Sequence, residues 1–343
     1  MLSKMRVEYI LAKTFVRQNF KSYRRFSSSG PPWSVVFFGS DNFALSSLQM
    51  LHQELISGHY VRNLSVVCAY MKCPVAQYSI ENKLNIIPWK PHIEDLQRDK
   101  PEIGLVVSFG HLIPQSIISA FPLGMVNVHA SILPRWRGAA PIIHTVLNGE
   151  TESGVTLMKI RPHKFDCGEI INTSKISVGV SEDAESLTAR LAQLGAKELQ
   201  FCLRNLTSSL SQATPQKDSG VTYAPKVSPI MSACVWTELS AAQLHHRHLA
   251  LHHVHPLHAD WHGQQIKFLD CVPCERSTDS APGLISFSKK SKHLEVACNE
   301  NSVLAIKSLQ LKGKKMMTAM DFVNGFLKRV PRDLWKFGNG DVS

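Results

Sequence analysis

The stretch GMVNVHASILPRWRGAAP, residues 124–141, decides how this chain is read. Side chains two apart on a strand share a face, so Asn127 and His129 point together while Val126 and Val128 point the other way, into a core. The strand then enters a turn framed by Pro134 and Pro141 and holding Arg135 and Arg137. Asparagine offers a neutral hydrogen-bond donor, and histidine accepts or delivers a proton near neutral pH. Two readings stay open at this point. The pair is either a satisfied polar end of an ordinary strand or a reaction centre that binds a developing oxyanion and manages a proton.

Working outward, short apolar runs alternate with helical patterns. Val35–Phe38 reads as a buried strand and Phe43–Leu55 has helical spacing. A second apolar stretch (64–70), a helix near 75–84, another buried strand over 103–114 and a short helix at SIISAF follow. Strands alternating with helices imply a mostly parallel sheet covered on both faces, an α/β, Rossmann-like fold. Helical patterns return at Ala139–Leu147 and Ala184–Leu206, the second with Leu187, Leu191, Leu194, Leu199 and Cys202 along one stripe. The first strand–helix turn, FFGSDNFA, carries only Gly39. A dinucleotide fingerprint needs three glycines, and there is no Walker A stretch, so this sheet binds something else.

Residues 207–229 are rich in Ser, Thr and Pro, lack periodicity and read as a linker. Beyond them, a helical segment (238–253) precedes strand-like alternation at 265–272, 283–298 and 302–311, which suggests a small β-barrel. The expected organisation is therefore a catalytic domain at 33–206, a linker at 207–229 and a barrel domain at 230–343.

The bulk numbers agree with two domains: 343 residues, 44% hydrophobic and 19% charged. No apolar run reaches the roughly 18 residues of a membrane span, so no membrane partner is expected, and no obligate protein partner is evident. Residues 1–30 hold seven bases against Glu8 and end in YRRFSSSG, the composition of an organelle import peptide, the other reading being a disordered basic tail. Without them the formal charge of +11 falls to near +5, still favouring an anionic partner. The eight cysteines form no framework, and the lone Cys271-Val-Pro-Cys274 reads as two thiols in a strand. Eight histidines crowd residues 245–262. His245, His248 and His252 have the helical spacing of metal ligands, yet no acidic or cysteine residue shares that spacing, and no functional metal is expected. A pH-sensitive, RNA-facing patch and plain surface are the other readings.

The segment HKFDCGEII (163–171) places Asp166 two residues before Gly168. An acid there either orients His129 and stabilises its protonated form or caps its own turn.

Beyond these readings stands a resemblance. VVSFGHLIP, GMVNVHASILPRWRGAAPI, GVTLMKI and FDCGEII are similar to the folate-dependent formyltransferases, whose signature is Asn-x-His-x-Ser-Leu-Leu-Pro followed by a distant Asp-x-Gly. VTYAPKVS, SAAQL and LKGKKMM in the second half resemble the branch of that family acting on methionyl-tRNA. The similarity runs from about Val35 to about Phe326. It implies transfer of the formyl group of 10-formyltetrahydrofolate to the α-amine of initiator methionyl-tRNA, with Asn127, His129 and Asp166 on the catalytic positions. It implies folate contact at Ser131, Ile132, Leu133 and Pro134, and apolar or main-chain contact at Phe109 and Gly110. The C-terminal half would be an OB-like barrel that helps hold the tRNA. Arg135 and Arg137 are then either a basic rim for tRNA or a surface pair, and Lys312, Lys314 and Lys315 either a phosphate contact or ordinary surface.

Two departures stand out. Residues 68–79 are short and hold Lys72 as their one base, where family members carry a longer basic loop. IRPHKFD has Arg161 and His163 where bacterial relatives have Asp and Gly, which resembles mitochondrial-type members and implies a matrix location. The competing readings are a formyltransferase acting on a small amine, or a non-catalytic tRNA-binding relative.

Overall fold

The computed structural model describes residues 30–340. The expected import peptide, apart from Gly30, lies outside the described residues. The chain forms two compact units, one comprising 30–139, 153–176 and 188–223, the other 140–152, 177–187 and 224–340. Two short pieces of the N-terminal half, 140–152 and 177–187, thus belong with the second unit.

In the first unit, apolar runs too short for helices become β1 (Trp33–Gly39), β2 (Val61–Cys68), β3 (Asn85–Pro88), β4 (Ile103–Val107) and β5 (Met125–His129). After β6 (Arg137–Gly138) come β7 (Glu152–Lys159) and β8 (Ile170–Ser177). The sheet order is β3-β2-β1-β4-β5-β7-β8. The first five strands are parallel and β7 is antiparallel to β5. Every residue of β1 and β4 is buried, as expected of strands covered on both faces. Helix α1 (Asn42–Ser57) follows β1; Asp41 caps it by accepting the Ala44 N–H, and Gly58 ends it at φ 67°. Then come α2 (Pro74–Glu81), α3 (Ile93–Gln97) and α4 (Gln115–Ile118).

Three expectations are revised. The strand over 103–114 stops at Val107, because Ser108 and Gly110 turn the chain with φ of 44° and 76°. Helix α5 (Pro141–Leu147) starts two residues late, with Pro141 in its first turn, where the missing N–H costs nothing. On α6 (Ala184–Arg204), Leu187, Leu191, Leu199 and Cys202 are buried but Leu194 is half-exposed; Ala192, Ala196 and Leu203 complete the apolar face. A Cβ on Gly195 would stand 3.0 Å from Val128 Cγ1, so this helix packs closely on the core side of β5. That packing commits Val128 to the core and leaves Asn127 and His129 on the opposite face. The segment read as a linker carries α7 (Leu206–Ser211) and β9 (Tyr223–Ala224).

The second unit holds helix α8 (Ala241–Leu251) and the strands β10 (Leu257–Trp261), β11 (Gln264–Pro273), β12 (Ile285–Ser288), β13 (His293–Ala297), β14 (Val303–Leu311) and β15 (Met317–Thr318). Strands β10 to β14 form an antiparallel sheet in the order β10-β11-β14-β13-β12, with β15 beside β14. Helix α9 (Ala319–Gly325) opens on a Thr318/Asp321 capping box, and α8 on a Ser240/Gln243 box. The sheet's two edges are joined by the C-terminal segment. Lys336 bridges Leu284 beside β12, and Gly338 bridges Asp260 of β10. Between them Phe337 is fully buried with Trp236, Phe268 and Phe322. Closing the edges this way removes unpaired strand borders and makes a small barrel. Cys271 lies buried in β11 and Cys274 just past its end; both thiols are free. Among the described residues, no helix is long and apolar enough to cross a membrane.

Candidate active site

The carboxyl edge of β4 and β5 is where the first unit gathers polar groups, as parallel sheets do. Asn127 sits half-buried, and its side-chain amide bonds to no described residue. His129 is 6% exposed and Asp166 9%, so their interactions are shielded from water. His129 Nε2 donates to the Trp136 carbonyl at 2.8 Å, and Nδ1 faces Asp166 Oδ1 at 3.5 Å. A carbonyl can only accept, so Nε2 carries a proton, and a proton on the other nitrogen would lie between Nδ1 and Asp166. The other Asp166 oxygen accepts the Gly138 N–H at 2.9 Å, which fixes the carboxylate.

Asp166 reaches His129 only because its loop is bent tightly. Its own φ is 53°, and a Cβ on Gly168 would lie 1.6 Å from the Lys159 carbonyl oxygen. The Asp-x-Gly spacing is therefore steric: the loop returns against the end of β7 so closely that only glycine fits. Arg161 pairs with Glu169 just after it. Burial pushes the Glu169 carboxyl up, but the Arg161 hydrogen bond and charge bring it below the ordinary carboxylate range.

The turn after β5 is closed by its own hydroxyls. Buried Ser131 donates to the Arg135 carbonyl at 2.6 Å, so its hydroxyl is already engaged. Thr156 of β7 accepts the Leu133 N–H at 3.1 Å and donates to the Ser131 carbonyl at 2.7 Å. Leu133 is buried, while Ile132 and Pro134 are half-exposed. The two arginines differ. Arg135 is exposed, with its guanidinium 4.8 Å from the Trp136 ring centroid. Arg137 is half-buried, and Nε and Nη2 both donate to Gln216 Oε1, at 3.1 and 2.6 Å. Phe109 is buried beneath Phe38 and Trp89, and Gly110 has open space where a side chain would be. Lys312, Lys314 and Lys315 lie exposed in the turn between β14 and β15, in the other unit.

Gln216 was not among the candidates. Its Nε2 donates to the Asp166 and Gly168 carbonyls, both at 2.9 Å. It therefore ties Arg137 to the loop that carries the acid, as a positioning residue. A lone glutamine in a Ser/Thr/Pro-rich segment carries no sequence signal of that role. Gln216→Ala would leave two carbonyls and a guanidinium short of partners. It is expected to cost about 1–3 kcal/mol in urea unfolding and to lower kcat about tenfold through the loosened Asp166. An unchanged unfolding midpoint would show that water replaces the amide without loss.

His245, His248 and His252 do line one side of α8, with successive ring centroids 6.4 and 5.0 Å apart, but the first two are turned to packing. His245 Nδ1 bonds to the Cys271 carbonyl at 3.1 Å. His248 is buried, and burial followed by the neighbouring His252 and His245 pushes it down to about 4. These two rings are committed to the packing of α8 against the barrel.

Comparison with known proteins agrees with this architecture. The formyl transferase family matches residues 34–201, and the formyl transferase C-terminal domain matches 226–327. The mitochondrial methionyl-tRNA formyltransferase of Homo sapiens is 39% identical over 312 residues, covering 87% of this chain and 78% of the human protein. The methionyl-tRNA formyltransferase of Methylococcus capsulatus is 32% identical over 303 residues, covering 84% of this chain and 96% of that protein. Among solved structures, an N-formyltransferase of Helicobacter canadensis in complex with folinic acid and dTDP-3-aminofucose shares the fold. It superposes with a TM-score of 0.61 at 16% identity, over 80% of this chain and 98% of that one. With both domains matched in order, and with identity near two-fifths to mitochondrial relatives over more than three-quarters of their length, the chain belongs to the methionyl-tRNA formyltransferase family.

Proposed function

We infer that this chain transfers the formyl group of 10-formyltetrahydrofolate to the α-amine of initiator methionyl-tRNA in the mitochondrial matrix. The observation that carries this reading is the buried His129–Asp166 pair, with an Asn127 amide that bonds to no described residue, at the carboxyl edge of a parallel sheet. Mitochondrial relatives and the basic leader support the compartment.

The residues present suit a folate. At the end of β4, Gly110 leaves its main chain open, with nothing within 4 Å of where a Cβ would stand. Phe109 supports Trp89 and His111, whose rings stack at 5.2 Å. A flat heterocycle is held by such a combination of exposed backbone and aromatic or apolar wall, to which the half-exposed Ile132 and Pro134 would add apolar surface. When bound, the co-substrate supplies a formyl carbon carried on a nitrogen.

This chain's residues do the rest. As the amine attacks, the carbonyl oxygen gains negative charge, and the Asn127 amide donates to it. The proton that the amine loses is taken up by the Asp166–His129 pair and held between Oδ1 and Nδ1. The resulting imidazolium has an acceptor for each N–H: the Trp136 carbonyl and Asp166. Asp166 thereby stabilises the charged form, and the same proton is available for the nitrogen that departs. The Gly138 N–H keeps the Asp166 carboxylate in place throughout.

For tRNA, Lys312, Lys314 and Lys315 are three cations in one exposed turn, and Arg135 adds a fourth on the first unit. Removing the charges of the three lysines is expected to lower the slope of log K against log salt by about 0.7–0.9 for each phosphate they neutralise. An unchanged slope removes them from the interface.

The deciding experiment incubates the chain from Trp33 onward with 10-formyltetrahydrofolate and methionyl-tRNA. Formyl-methionyl-tRNA should accumulate, faster with initiator than with elongator tRNA. Transfer to a free small amine but not to the tRNA would overturn the reading.

A further inference from the structure

We propose that Asp183, His252 and His253 form a binding site for a zinc-type divalent cation in the second unit. Sequence spacing offers these histidines no acidic partner. Folding supplies one, by placing the residue that precedes α6 against the C-terminal end of α8.

The donor geometry fits a compact cation. His252 Nε2 lies 3.6 Å from Asp183 Oδ2, and His253 Nε2 lies 3.4 Å from the same oxygen. One donor atom from each of the three residues falls within a 4.8 Å cluster. Ligands about 2.0–2.2 Å from a tetrahedral zinc stand about 3.3–3.6 Å from one another. The two distances match the edges of such a tetrahedron, and they are long for direct hydrogen bonds.

The surroundings orient each donor. His252 Nδ1 sits 3.0 Å from the His248 carbonyl. It must donate there, which leaves a lone pair on Nε2, aimed at a carboxylate oxygen. Two electron-rich atoms facing each other repel unless a proton or a cation stands between them. A backbone carbonyl behind the ring is also the usual outer support of a metal-bound histidine. Asp183 is split in the same way. Its Oδ1 accepts the Ser186 N–H at 2.8 Å as the cap of α6, while Oδ2 turns to the imidazoles. Burial pushes the Asp183 carboxyl up, but the Ser186 bonds and the two histidines hold it below the ordinary range, so it is an anionic donor at neutral pH. Glu185 Oε2, 2.8 Å from His253 Nε2, is within reach as a fourth ligand by exchanging that hydrogen bond for coordination. Two imidazoles with one or two carboxylates suit zinc better than calcium or magnesium, which prefer oxygen alone. The cation would hold the 177–187 segment to the end of α8, a structural rather than a chemical role.

The test uses the full chain, stripped with chelator and titrated with Co2+. One equivalent should develop the visible absorption of a tetrahedral site and be displaced by Zn2+, and Zn2+ should raise Tm with concentration. Asp183→Asn, His252→Gln and His253→Gln should each lose that equivalent, while His262→Gln, in the β10–β11 turn, keeps it. Absorption that survives all three substitutions belongs to other histidines and overturns the proposal. So does a wild-type chain with neither the absorption nor the Tm rise, a result that stands even if a variant fails to fold.

Discussion

His129→Ala is expected to lower formyl transfer about 10²–10⁴-fold, the usual contribution of a positioned acid–base group. The effect should fall on kcat, because the ring is buried and its two nitrogens point at Trp136 and Asp166 rather than outward. Methionyl-tRNA binding should change little. On the proposed mechanism the alanine removes the ring that shares the amine's proton with Asp166, and leaves that carboxylate with its Gly138 bond alone. Single-turnover rates with both substrates pre-bound provide the check. A near-normal rate would reduce His129 and Asn127 to a polar strand end.

Gly168→Ala is expected to do comparable damage by another route. The added methyl would sit 1.6 Å from the Lys159 carbonyl oxygen, and the obstacle is backbone at the end of β7, not a side chain that can swing away. The loop must back off, and Asp166, two residues earlier, moves with it. Overpacking of this severity costs about 3 kcal/mol or more, and displacement of a catalytic group by about 1 Å can cost about 10²-fold in rate. Stability to denaturant and kcat should therefore fall together. Full stability with full activity would mean that the loop relaxes at no cost, against the packing described.

Much of this was legible because it depends on local periodicity. Fully apolar runs such as Val35–Phe38 marked buried parallel strands, and the period of two placed Asn127 and His129 on one face. The alternation in 265–311 marked an antiparallel barrel, though not its closure. Lys336 and Gly338 reach the two sheet edges from a segment with no strand pattern, and the burial of Phe337 is visible only once the barrel exists. Leu194 shows the same limit on a helix: its spacing is right, yet it stays half-exposed.

By itself, the sequence determined the strand that carries Asn127 and His129, the turn that follows it and the Asp-x-Gly spacing at 166–168, since pleat geometry and backbone sterics act within a few residues. Tertiary structure alone decided what those side chains meet. It brought Asp166 to His129, Gln216 to Arg137, and Asp183 to His252 and His253, the second pair across 79 residues. The reason is physical: such contacts are set by how covered sheets and helices pack, and a polar residue in a loop carries no mark of the partner that packing will give it.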